Sequence, residues 1–140
     1  MKALSASPAS SEGTVIISSA WTAREIAPKL NPDFIISLMD PGDKFSLPTG
    51  PALRRHLHLE MHDIDSRGAA VPPPYAAPIA KHVQQIIDAA RSWDRSATIL
   101  IHCVAGVSRS GAAGLVFLAA RNPGREREVG LQLRQLVDRI

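Results

Sequence analysis

The chain has 140 residues, 45% of them apolar and 21% charged, enough for one soluble domain with its own core and too few for two. Its net charge of +3 is spread over scattered arginines and only 4% of its residues are aromatic, so it lacks the clustered basic patch and stacking platforms of a nucleic-acid reader, and no nucleic-acid partner is expected. One cysteine excludes an intramolecular disulfide, no run approaches 18 apolar residues, and the N-terminal apolar runs are broken by Ser, Pro and Glu; no membrane association is expected, and the default location is cytoplasmic.

Residues 1–12, rich in Ser, Ala and Pro, are expected to be a flexible lead-in to a single domain over 13–140. Thr14–Ser18 is a β-branched run that reads as a buried strand. Residues 21–30 space Trp21, Ile26 and Leu30 for a helix, with an interruption expected at Pro28. Asp33–Leu38 reads as a second buried strand, stopped by the Asp40-Pro41-Gly42-Asp43 turn, where Asp40 is expected to cap the turn. Residues 53–61 alternate apolar and polar residues, as a strand with one wetter face does. Pro72-Pro73-Pro74 reads as a rigid spacer. From Tyr75 to Trp93 a helical pattern places Ile79, Val83, Ile86, Ile87 and Ala90 on one side. Ala97–Ile101 is a fully apolar strand, Ser110–Arg121 an apolar helix stopped at Asn122-Pro123-Gly124, and residues 125–140 an amphipathic closing helix. Uniformly apolar strands separated by helices predict an α/β fold: one three-layer domain with a mostly parallel central sheet of about four strands, flanked by helices.

The segment Ile101-His102-Cys103-Val104-Ala105-Gly106-Val107-Ser108-Arg109-Ser110-Gly111 joins the last apolar strand to the apolar helix. In a parallel α/β sheet such a turn is where ligands bind, and the N–H groups and positive dipole end of the following helix favour an anion there. Gly106 lets the backbone curl, so that the amides of Val104, Ala105, Gly106, Val107, Ser108 and Arg109 can surround one phosphoryl group. The Arg109 fork matches two phosphate oxygens. These donors favour the thiolate of Cys103, the reactive form. Ser110 can donate a hydrogen bond to that thiolate and also cap its helix, and His102 is placed to fix the loop through its imidazole.

HCVAGVSRS resembles the Cys-x5-Arg signature of the protein-tyrosine phosphatase superfamily, in the form of its dual-specificity branch. From the ISLMDPG turn through HLHLEMHDID to this loop, about residues 14–121, the chain is similar to small bacterial members. The resemblance implies a two-step hydrolysis in which Cys103 forms a phosphocysteine, Arg109 clamps the phosphate, Ser110 assists the thiolate, and an aspartic acid serves as general acid and then base. That acid lies some 30–40 residues before the cysteine in the family. Asp63 and Asp65 stand 40 and 38 residues upstream. Asp63, just after the predicted strand, is the choice, Asp65 the alternative, and Asp40 a distant third.

The implied substrate is a phosphorylated protein or small aryl phosphate. Val104, Ala105, Val107 and Ser108 are uncharged, whereas phosphoinositide phosphatases of the superfamily often carry lysines in this loop. Phosphotyrosine therefore comes first, with phosphoserine or phosphothreonine second. Two other readings remain: a phosphate-binding pseudophosphatase, and a sulfurtransferase- or arsenate-reductase-like cysteine enzyme. His56, His58 and His62 form an HxHx3H pattern, but no cysteine or carboxylate partner is placed with them, so no metal and no cofactor are expected.

Overall fold

A computed structural model describes residues 2–7, 10–62, 76–93, 97–105 and 108–137. The chain runs β1 (Lys2–Ser7), β2 (Ser10–Ser19), α1 (Ala20–Leu30), β3 (Phe34–Met39), β4 (Arg55–Glu60), α2 (Ala80–Ser92), β5 (Thr98–Cys103), α3 (Arg109–Arg121) and α4 (Glu126–Val137). The sheet order is β1-β2-β5-β3-β4. Four strands, β2, β5, β3 and β4, are parallel, and β1 is added antiparallel at the β2 edge.

The central strands are central because they are apolar on both faces. Every residue of β3 is buried, as is β5 from Ile99 onward. Parallel strands of this kind need a helix on each side. On one face α2, α3 and α4 cover the larger core, where Ile36, Ile101, Ile86, Phe117 and Val129 pack together and the Trp93 and Phe117 rings meet edge-to-face at 5.1 Å. On the other face Ala23 and Ala27 of α1 lie against Ile16, Ile35 and Leu100. Side chains this size contribute about 1.5–3 kcal/mol each on full burial, so the α2–α3 face carries most of the hydrophobic stabilisation. Gly114 permits close packing there: a Cβ at this position would come within 2.5 Å of Ile17 Cδ1 on β2.

The sheet's two ends are fixed differently. At the N-terminal ends of the strands, Asp33 accepts the Thr98 N–H on Oδ2 at 2.8 Å, and its backbone carbonyl accepts the Arg54 N–H at 2.8 Å. One residue therefore aligns β3, β4 and β5. The C-terminal ends of the four parallel strands consequently converge on a single edge, and Cys103 is the last residue of β5, in register with Ser19.

The expected three layers and parallel sheet are present, with several differences. Part of the expected lead-in is strand: β1 pairs with β2 from Lys2↔Ile17 to Ser7↔Ser10. Its sequence, KALSAS, has no β-branched or aromatic residue, and the pairing comes from the otherwise open β2 edge, which composition does not reveal. Helix α1 is not interrupted at Pro28. The proline falls in the last turn, where one donor is missing just before Asn31 ends the helix in a left-handed conformation (φ 48°). Ile79 precedes α2 and is exposed, and Val83 is also exposed; the buried stripe is Ile86, Ala89 and Ala90. The three prolines at 72–74 lie outside the described residues.

Candidate active site

The turn after β5 is held between two helix starts. The Ala20 N–H, opening α1, donates to the Val104 carbonyl at 3.0 Å, and α3 begins at Arg109. Val104, Ala105 and Ser108 are exposed along this turn, whereas Cys103, Arg109 and Ser110 are buried. Gly106 and Val107 lie outside the described residues, so the amide cradle expected over 104–109 is described only at its ends.

Cys103 Sγ lies 3.2 Å from Ser110 Oγ. A thiolate in this position accepts the Ser110 O–H, since a hydroxyl can donate and a thiolate cannot. Ser110 does not cap α3. The helix starts one residue earlier than expected, Ser108 occupies the N-cap without a side-chain hydrogen bond, and the fully buried Ser110 hydroxyl is turned toward sulfur instead.

Arg109 is oriented by two acceptors on one nitrogen. Nη1 donates to Asp40 Oδ1 at 2.7 Å and to the Met61 carbonyl at 2.8 Å. That consumes both Nη1 hydrogens. Nε, on the guanidinium's other side, is buried with no hydrogen-bond partner among the described residues. Leaving such a donor unsatisfied costs roughly 1–3 kcal/mol, and the Nε/Nη2 side is the one that pairs bidentately with an oxyanion.

Asp40 is the residue that sequence reasoning undervalued. Its backbone carbonyl does close the expected turn, accepting the Asp43 N–H at 3.0 Å, but its carboxylate pairs with Arg109. The signal was topological: Asp40 follows β3, the direct neighbour of β5, at the edge where parallel strands end. Asp40→Ala should release the guanidinium and raise KM for an oxyanion substrate held there roughly 10–150-fold, the range of one charge-assisted hydrogen bond. Steady-state kinetics at fixed salt check this, and an unchanged KM would remove Asp40 from the site.

His102 is wholly buried. Its Nδ1 lies 3.3 Å from the Cys103 carbonyl and its Nε2 2.6 Å from Ser37 Oγ, with the Phe45 ring packed on it at 5.4 Å. Burial pushes its pKa down from 6.5 to about 4, partly offset by the bond to Cys103 and reinforced by His56 and His58. The unfolded chain therefore takes up a proton below pH 6.5 that the folded one refuses until about pH 4. Stability falls as pH falls through that window, by about 3 kcal/mol from this group. Urea unfolding at pH 7 and pH 4 should show His102→Asn losing correspondingly less than wild type, and equal losses would contradict the assignment.

The three histidines of the HxHx3H pattern take different partners: His56 Nε2 meets Ser37 Oγ at 2.7 Å, His58 faces Glu60 at 3.7 Å, and His62 Nδ1 accepts the Ala76 N–H at 2.8 Å. Among the described residues no group of three or more His, Cys, Asp or Glu side chains could hold a metal ion. Nor is any helix there long and apolar enough to cross a membrane. Asp63 and Asp65 lie outside the described residues.

A buried thiol at the end of a parallel strand, a hydroxyl on its sulfur and a guanidinium whose buried Nε has no partner among the described residues form an arrangement that suits a tetrahedral oxyanion. Solved structures share the fold of the chain. Human DUSP28 matches with a TM-score of 0.63 at 15% identity, over 94% of this chain and 78% of its own. OH1 of the Orf virus, described as a tyrosine phosphatase, matches with a TM-score of 0.58 at 23% identity, over 92% of this chain and 72% of its own. PTP-2 phosphatase of Cydia pomonella gives 0.61 at 19% identity, over 91% and 76%. The fold is the one these phosphatases share. No family model and no curated protein sequence matches the chain.

Proposed function

We propose that this protein is a cysteine-dependent phosphomonoester hydrolase acting first on phosphotyrosine in proteins. The observation that carries the reading is the pairing of Arg109: Asp40 and Met61 hold Nη1, while the buried Nε has no partner among the described residues. A phosphoryl group bridging Nε and Nη2 would satisfy that donor.

In the first step the Cys103 thiolate attacks phosphorus, an S–P bond forms, and the ester P–O bond breaks as Asp63 gives its proton to the leaving oxygen. In the second, Asp63 takes a proton from water, the water oxygen bonds to phosphorus, and the S–P bond breaks. The Ser110 hydroxyl, at 3.2 Å, stabilises the sulfur as it leaves with its charge. The uncharged side chains at Val104, Ala105 and Ser108 provide no second cationic site for a polyphosphorylated substrate, which favours a phosphoprotein.

The test is turnover of a small aryl phosphate across pH. Wild type should hydrolyse it, with inhibition by vanadate. Asp63→Asn should lose about 10²–10⁴ in rate and lose the alkaline limb of the profile, as expected when a general acid is removed. Asp65→Asn should stay near wild type. Equal loss in both variants would reverse the choice of acid. Tight binding of a phosphotyrosine peptide without any turnover by wild type would overturn the enzyme reading.

A further inference from the structure

Across the α1 face of the sheet, three polar side chains form a continuous line through an otherwise apolar layer. His56 of β4, Ser37 of β3 and His102 of β5 are joined by contacts of 2.7 and 2.6 Å, both to the Ser37 hydroxyl. Ser37 and His102 are buried, while His56 is exposed at the edge.

The direction of the line follows from what each group can donate. The Cys103 carbonyl can only accept, so His102 Nδ1, 3.3 Å away, carries the hydrogen. In a neutral imidazole Nε2 is then an acceptor, and burial keeps His102 neutral. The single Ser37 hydrogen is therefore given to His102 Nε2. That leaves Ser37 Oγ only as an acceptor toward His56, whose Nε2 must donate. The chain runs one way: His56 Nε2–H to Ser37 O–H to His102, and His102 Nδ1–H to the carbonyl of the nucleophile.

We infer that Ser37 and His56 are positioning residues for Cys103, acting through His102 to hold its Nδ1–H on the Cys103 carbonyl. If the chain is cut at Ser37, His102 is free to take the other tautomer. Nδ1 then becomes a lone pair facing the carbonyl, and a donor beside the thiolate is replaced by a repulsion. Polarised hydrogen bonds in a buried line reinforce one another, so His56 acts at the far end although it does not touch the site. The charged and titratable groups around this line are His58, whose ring lies 6.4 Å from that of His56, Glu60, which faces His58, and Arg24 of α1, 4.8 Å above the Phe45 ring that covers His102. Burial and His58 both disfavour a charge on His56, and a neutral His56 still donates from Nε2.

The inference rests on Cys103 being the reactive thiol, and its test does not require phosphatase turnover. The rate of Cys103 alkylation by iodoacetamide is measured against pH in the intact protein. Ser37→Ala and His56→Leu should slow alkylation at pH 6 by roughly 3–10-fold, the worth of about one hydrogen bond, with the difference vanishing at alkaline pH where every thiol is ionised. Ser37→Thr and His56→Gln, which keep the hydroxyl and the Nε2–H donor, should retain the wild-type profile. A wild-type profile in both disrupting variants overturns the inference, as does a His56→Gln profile matching His56→Leu. His56 is partly exposed, so its pair of variants decides the matter even if Ser37→Ala fails to fold. Wild-type phosphatase activity with unaffected alkylation removes only this inference; altered alkylation in a protein without turnover removes only the proposed activity.

Discussion

Cys103→Ser should abolish hydrolysis of an aryl phosphate, with a loss on the order of 10⁴-fold or more, as expected when the nucleophile of a two-step mechanism is removed. The substitution is nearly isosteric, Cys103 is buried at the end of β5, and its neighbour Ser110 tolerates a hydroxyl at the 3.2 Å contact. The fold should therefore persist. A serine hydroxyl is protonated at any working pH and lacks the nucleophilicity of a thiolate, so covalent transfer fails. Binding should survive, because the proposed oxyanion contacts come from Arg109 and the loop. The expected result is a protein that retains a phosphotyrosine peptide without consuming it. Isothermal titration beside a turnover assay separates the two properties.

Arg109→Lys should be nearly as damaging, costing about 10²–10³-fold in kcat/KM, the range for losing a preorganised donor to a developing oxyanion. Lysine keeps the charge but not the geometry. Arg109 uses Nη1 to hold Asp40 and the Met61 carbonyl, and its buried Nε has no partner among the described residues, so in the proposed mechanism its two sides do separate tasks. One ammonium cannot do both. It would be drawn to the Asp40 carboxylate, leaving the Met61 carbonyl with one donor fewer and the oxyanion without its bidentate partner. Because phosphate is held in both ground and transition states, KM should rise and kcat should fall. A lysine variant within threefold of wild type would show that bidentate pairing is not used.

Much of the fold was legible because its strands are buried on both faces. Residues 33–38 and 97–101 read as buried strands, and an apolar strand of that kind has few other places to go than the middle of a covered sheet. Cys103, Arg109 and Ser110 were legible as a group because their spacing, between an apolar strand and an apolar helix, is local in sequence. The features that sequence left hidden depend on contacts between distant segments. β1 gains its partner from an open edge, which KALSAS does not advertise. Asp40 sits 69 residues from Arg109 and Ser37 sits 65 from His102, and both meet their partners only because parallel strand ends are brought side by side. The start of α3 was misplaced by one residue because Ser110, a good capping residue, has its hydroxyl committed to sulfur, while the less obvious Ser108 fills the N-cap.

The proposed mechanism passes through a covalent phosphate on Cys103. Mixing the protein with a phosphorus-labelled aryl phosphate, quenching within milliseconds and mapping the label by mass spectrometry tests it directly. The label should be found on Cys103 as an S-phosphocysteine and should be absent from Cys103→Ser. Turnover with no label on Cys103, or label on a different side chain, would contradict the mechanism.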